Sequence, residues 1–219
     1  MADGAEYTVE YIDENPEEVK WLKRAGQVKI TYANSDIFEG SVNDSKLKHG
    51  RGKYTWMEKT EDDESKEVAS YDGEYDNGKK HGIGKMIFPN GDTYHGQWDH
   101  DEIFGQGTLM YKNGDIYSGS FENGIKQGKG TYEFAADKGQ LIGTWHQNTI
   151  VEGKWLFKDG GYYTGHFENA TPIGLGLFMF PNGLQQEGEY VKVDSVNADG
   201  ETIQVHTWKG GEAAVTKVF

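Results

Sequence analysis

A glycine-and-aromatic cassette recurs along this chain at a fixed spacing. It reads Tyr71-x-Gly73-x-Tyr75, then His81-Gly82-x-Gly84, then Phe88-Pro89-Asn90-Gly91-Asp92. It returns at Tyr94-x-Gly96-x-Trp98 and at Tyr117-x-Gly119-x-Phe121, so the leading aromatics stand 23 residues apart. A period of this length specifies a repeat array, in which each unit buries its apolar face only against its neighbours. Aligned on the first aromatic, the copies start at Phe38, Tyr71, Tyr94, Tyr117, Leu141, Tyr163 and Gln186.

Within a copy the apolar period is two, which is the period of a strand. Tyr71, Gly73 and Tyr75 share one face, and so do Gly82, Gly84, Met86 and Phe88. Asp76-Asn77-Gly78-Lys79-Lys80 joins the two runs as a hairpin turn. Pro89-Asn90-Gly91-Asp92 is a second turn into the next copy, and it recurs as Lys112-Asn113-Gly114-Asp115 and Pro181-Asn182-Gly183. Each copy is therefore one β-hairpin. The expected fold is all-β: an elongated, single-layer, twisted antiparallel sheet of successive hairpins. Glycine weakens an ordinary strand, so its recurrence opposite large rings predicts rings from neighbouring strands lying over bare backbone.

The ends are degenerate copies, as expected of caps. Gly26-x-Val28-x-Ile30-x-Tyr32-Ala33-Asn34-Ser35-Asp36 matches a second strand and turn, with Ser35 where Gly91 sits. Tyr7-x-Val9-x-Tyr11 reads as a worn first strand and Pro16 to Arg24 as a short helix. Thr202 to Trp208 alternates and is expected to pair back on the strand begun at Glu187, across Asn197-Ala198-Asp199-Gly200. The expected organisation is an acidic segment and cap over 1–25, the array over 26–190 with an acidic insert at 58–70, and a capping hairpin and tail over 191–219. The insert reads as a solvated loop between hairpins. The copy at Leu141 is one residue short and has Val151-Glu152-Gly153 in place of the usual Gly-x-Gly, so its turn is expected to differ.

Composition agrees with this architecture. The 219 residues include 13 Tyr, 10 Phe, 6 Trp and 31 Gly, so apolar surface is stored in flat rings instead of aliphatic side chains. No cysteine is present, which excludes a disulfide framework and a thiolate metal site. The first residues carry neither a basic nor an apolar signal region, and no window approaches the roughly 18 apolar residues of a membrane span. These features point to a soluble, intracellular chain. The net charge of −14 disfavours phosphate backbones and anionic lipid, so neither nucleic acid nor membrane is expected as a partner. Against that, residues 21–57 are basic, and Lys46 to Lys53 form the only segment suited to an anion.

Candidate chemistry is thin. His49 and His81 occupy the same repeat position, filled elsewhere by Phe104 and Gln127, which reads as turn packing and not catalysis. Asp99-His100-Asp101-Glu102 carries nitrogen and oxygen ligands, but it falls in a hairpin turn where a polar cluster is ordinary. Gly124-x-x-x-Gly128-Lys129-Gly130-Thr131 misses the phosphate-loop spacing and has Gly130 where a hydroxyl is required. No catalytic residue, cofactor or metal is therefore assigned. A single-layer sheet cannot bury both faces, so part of the aromatic stripe is expected to contact a partner. The candidates are Tyr71, Tyr75, Tyr94, Trp98, Tyr117, Phe121, Trp145, Tyr163 and Phe167.

The pattern Tyr-x-Gly-x-Trp/Tyr, His-Gly-x-Gly and Asn-Gly-Asp resembles the MORN repeat, over about residues 26–190. A finer resemblance runs from Leu141-Ile142-Gly143-Thr144-Trp145 through Tyr163-x-Gly165-x-Phe167-Glu168-Asn169 to Glu187-Gly188-Glu189-Tyr190. This stretch is similar to the end of the repeat block in radial spoke head proteins 1 and 10 of cilia and flagella. That resemblance implies a non-catalytic axonemal subunit in the cytoplasmic cytoskeleton. Its partners would be other spoke-head subunits and, transiently, central-pair projections. Two other classes share the repeat: adaptors linking membrane or cytoskeleton to partner proteins, and regulatory modules attached to enzymes. With about 29 residues after Tyr190, no attached catalytic domain is expected in this chain.

Overall fold

The structure is a computed structural model, and it describes residues 7–62 and 64–215. All regular structure among them is β. The chain divides into two compact units, Met1–Lys112 and Asn113–Phe219. The first unit holds β1 (Tyr7–Tyr11), β2 (Glu17–Val19), β3 (Gly26–Tyr32), β4 (Ile37–Val42), β5 (Lys48–Lys59), β6 (Ser65–Asp76), β7 (Lys79–Ile87), β8 (Thr93–Asp99) and β9 (Glu102–Met110). From β3 onward each strand pairs antiparallel with the next, while β1 lies between β2 and β3. The second unit holds β10 (Ile116–Glu122), β11 (Ile125–Glu133), β12 (Gln140–His146), β13 (Thr149–Leu156), β14 (Tyr162–Glu168), β15 (Thr171–Met179), β16 (Leu184–Val196) and β17 (Thr202–Val215). It too is an open antiparallel meander in chain order. The hairpin expected at Thr202 forms against β16.

Register follows the glycines. Gly40, Gly52, Gly73, Gly84, Gly96 and Gly107 lie side by side across β4 to β9. Gly119, Gly130, Gly143, Gly153, Gly165, Gly176, Gly188 and Gly210 do the same across β10 to β17. In most hairpins the leading aromatic folds down onto this row. A Cβ on Gly84 would collide with the Tyr71 hydroxyl, and one on Gly107 with that of Tyr94. The covering ring comes from the glycine's own strand as well as from its neighbour, a closer arrangement than neighbouring strands alone.

The Asn-Gly-Asp turns staple one hairpin to the next. Asp92 accepts from the Lys112 amide at 2.8 Å, and Asp115 from the Ala135 amide at 2.7 Å and the Tyr132 hydroxyl at 2.6 Å. Asp36, itself buried, accepts from the Met57 amide at 2.8 Å and the Tyr54 hydroxyl at 2.9 Å. Asn90 and Asn113 close each turn by donating to the same aspartates.

Three expectations need correction. No helix forms over Pro16 to Arg24; Glu17–Val19 is β2, an edge strand on β1. The chain returns through Arg24, whose guanidinium covers the Tyr11 ring at 4.1 Å and binds Asp13. Tyr11 draws in the amides of Lys23 and Arg24 at 2.9 and 2.8 Å, so backbone donors that a helix would have used are satisfied by a phenol. The insert 58–70 is not a loop: β5 and β6 run on through Met57↔Glu67 and Lys59↔Ser65 as a long hairpin arm. Its pairing explains the segregated charge, because Arg51 meets Asp72 at 3.5 Å and Lys53 meets Glu67 at 4.0 Å.

The hairpin at Leu141 keeps the same kind of two-residue turn as its neighbours. Gln147 and Asn148 have φ of 47° and 69°, against 50° and 76° for Asn123 and Gly124. The missing residue is taken from the β-bulge. Pairing slips by two residues between Gly119↔Gly130 and Phe121↔Lys126, but by one between Thr144↔Glu152 and Trp145↔Ile150.

These turns need left-handed backbone at both central residues, which non-glycine side chains resist. Asn169-Ala170 is the strained copy, with Ala170 at φ 61°. Ala170→Gly is expected to raise stability by about 0.5–1 kcal/mol, after allowing for the extra freedom glycine adds to the unfolded chain. A urea-unfolding midpoint at or below that of the wild type contradicts this.

Candidate functional site

The aromatic face is built from three positions per hairpin. The leading ring lies on the glycine row, the second aromatic four residues later meets it edge-on, and the second aromatic of the following hairpin closes the other side. Tyr71 meets Tyr75 and Trp98, each with centroids 5.2 Å apart and planes near perpendicular. Tyr117 meets Phe121 at 5.2 Å and Trp145 at 5.1 Å in the same way, and Tyr163 meets Phe167 at 5.7 Å. Edge-to-face contacts of this kind add to the area buried. The indoles are also anchored, Trp98 donating to the Gly84 carbonyl at 3.3 Å and Trp145 to that of Gly130 at 3.0 Å.

All nine rings proposed as partner contacts are buried. Tyr71, Tyr94, Tyr117 and Tyr163 are 0% exposed, and Tyr75, Trp98, Phe121, Trp145 and Phe167 reach at most 6%. Rings from adjacent hairpins cover one another, so these nine belong to the core and offer little surface to a partner. No second layer is needed to bury them.

The face is closed above by lysines, Lys80 opposite Tyr75, Lys126 opposite Phe121 and Lys48 opposite Val42. Lys80 lies 5.2 Å from the Trp98 ring centroid, Lys126 5.1 Å from that of Trp145, and Lys48 4.2 Å from that of Tyr54. Ring faces attract a cation, while burial disfavours it. Burial pushes Lys48 down to about 8 and moves Lys126 in the same direction. The repeat position is Ile103 opposite Trp98 and Ile150 opposite Trp145, so either an alkyl stem or an aliphatic side chain serves as lid.

Sequence reasoning did not find the opposite face. In the second unit, residues alternating with the glycines leave a groove of about 710 Å³ along Gly153, Gly165, Gly176 and Gly188. Leu175, Leu177, His166, Glu187 and Glu189 line it. Leu175 is 75% exposed. The local signal is the set of residues flanking the glycines, Thr164, His166, Leu175, Leu177, Glu187 and Glu189, whose side chains bound the groove.

The remaining candidates sort as follows. His49 and His81 do hold the same position, each facing an aspartate, Asp76 at 3.2 Å and Asp99 at 3.3 Å. Of Asp99-His100-Asp101-Glu102, only Asp99 and His100 come together with another histidine, His81. Asp101 instead accepts from the Lys80 amide at 2.9 Å. Gly128 to Thr131 lie within β11, with no helix following.

The phenols give this face a pH limit. Burial pushes Tyr94 up to about 12, and burial also raises Tyr32 to about 12. Raised values mean that the stability they carry is complete below the unfolded phenol value of about 10 and lost as pH climbs through the folded value. Tyrosine absorbance and far-UV dichroism should therefore change together near pH 12; free ionisation near pH 10 with the sheet intact contradicts this. The hydroxyls are also unequal. Tyr71 donates to the Glu74 carbonyl at 2.9 Å, whereas the buried Tyr163 hydroxyl has no partner. Tyr71→Phe is expected to cost about 1 kcal/mol and Tyr163→Phe to be neutral or stabilising. Equal losses in chemical denaturation count against that.

Comparison with known proteins follows the same boundaries. The MORN repeat family matches residues 45–58, 71–93, 94–116, 117–136 and 163–185. The unmatched stretch between the last two holds the hairpin with Leu141 and the shortened bulge, which folds like its neighbours. No curated protein matches the chain. Among solved structures, the wild-type TCP10 domain of Danio rerio CPAP is similar at 14% identity, over 83% of this chain and 89% of that one, with a TM-score of 0.38. Five stretches of this chain are thus similar to the MORN repeat.

Proposed function

We propose that this protein is a non-catalytic repeat scaffold and, within that class, a subunit of the axonemal radial spoke head. The observation that carries the scaffold reading is the use of the regularly spaced rings as core: all nine candidate aromatics are buried between the hairpins. Chemistry that varies between repeats then sits on the outside, where exposed Leu175, Phe104 and Ile83 offer apolar contacts. The finer assignment rests on the resemblance of residues 141–190 to the end of the spoke-head repeat block. Its partners would be neighbouring spoke-head subunits and, transiently, the central pair.

A membrane-adaptor role is disfavoured by charge. The basic stretch Lys46 to Lys53 faces acids on β6, and Lys48 is turned onto rings. Neutralised cations contribute little to binding an anionic surface.

Extraction of axonemes tests the assignment. The protein should remain with the spokes and cross-link to their head subunits. Release into the soluble matrix, with no spoke-head cross-links, overturns the spoke reading and leaves the scaffold reading standing.

A further inference from the structure

Taken singly, His81 and His100 are residues at or beside a turn with no evident ligand. The fold joins them. His81 stands on β7, Asp99 ends β8, and His100 opens the turn that follows, held by left-handed backbone at φ 49°. One ligating atom from each lies within 4.8 Å of the others. His81 Nδ1 is 3.3 Å and His100 Nδ1 2.6 Å from the same Asp99 Oδ1. The two imidazoles meet at 76° with centroids 6.0 Å apart. The neighbouring cation does not interfere, because the Lys80 ammonium is 3.6 Å from Asp101 and lies over Trp98.

We propose that His81, Asp99 and His100 form a binding site for a divalent first-row transition ion, with zinc as the occupant. Two imidazole nitrogens and one carboxylate oxygen make a donor set that zinc accepts. Around a tetrahedral zinc with bonds of about 2.0–2.1 Å, adjacent donors stand about 3.4 Å apart. That is the His81–Asp99 spacing, and His100 reaches it by withdrawing from its short contact with Asp99. The three side chains are 47%, 53% and 64% exposed, so the ion enters without rearrangement of the sheet. A fourth position stays open to water or to a donor from a partner.

Among the described residues, the site occurs in this repeat alone. The preceding hairpin has the same pair, His49 and Asp76 at 3.2 Å, but Asn77 stands where His100 does. The corresponding residues after it are Asn123, Gln147 and Asn169. This provides substitutions that the fold already accepts: His100→Asn restores the usual turn residue, and His81→Gln installs the side chain found at Gln127.

Zinc chloride titrated calorimetrically into the full chain tests the site, with cobalt(II) absorbance reporting geometry. One zinc per chain and a tetrahedral cobalt spectrum are expected. Either substitution should weaken zinc binding by roughly tenfold or more and abolish that spectrum. His49→Gln, made as a control, should change neither. Zinc affinity unaltered in the His81→Gln/His100→Asn double variant overturns the proposal, as does a wild type that takes up no stoichiometric zinc.

Discussion

The structure depends on an aromatic ring lying flat on two facing glycines. Any Cβ at Gly73 or Gly84 would enter the Tyr71 ring, so the ring and the bare backbone specify each other. This contact sets strand register, because a slip by one residue would put a side chain under the ring and turn the ring to the other face. It also makes each hairpin dependent on the next. The edge of the ring is left for the second aromatic of the following repeat, as Trp98 does for Tyr71. Isolated hairpins are marginal in water; here each one is completed by its neighbour, as a one-dimensional array requires.

Much of this was legible from spacing alone. Period two within a copy and 23 between copies yields hairpins, turns and the identity of the core rings. What spacing does not reveal is how completely those rings cover one another. A single layer suggested that part of the aromatic stripe would be left for a partner, yet edge-to-face contacts and lysine stems bury Tyr71 and Tyr117 fully. The strand at Glu17–Val19 was also hidden, because three residues carry too little pattern to outweigh the helical look of Pro16 to Arg24. The groove and the His81–Asp99–His100 cluster depend on pairing across strands, which local sequence does not state.

Charge segregation along the chain acquires a plain meaning in three dimensions. The basic stretch around Arg51 and Lys53 and the acidic stretch around Glu67 and Asp72 are two arms of one hairpin. Exposed pairs of this kind add little stability. Their effect is on choice of partner: they neutralise the one cationic strip and leave an acidic exterior that repels other acidic surfaces. Asp36, Asp92 and Asp115 act differently, since each accepts a backbone amide from farther along the chain: Met57 within β5 for Asp36, and Lys112 and Ala135 in later turns for the other two. Donation by the Ala135 amide, more than any other contact, holds Asp115 below the usual carboxylate range.

The β-bulge has a consequence for how such a chain changes length. Loss of one residue in the copy at Leu141 left its turn, its glycine pair and its contacts with both neighbours in place, because the bulge shrank from two residues to one. The bulge is thus the slack in each repeat. A single-residue deletion there alters only local twist, while the same deletion between a ring and its glycine would throw every later strand out of phase. Whole repeats can be copied or lost cleanly, since each interface is made of the same parts. Length in such an array is counted in hairpins, with a small expansion joint built into each.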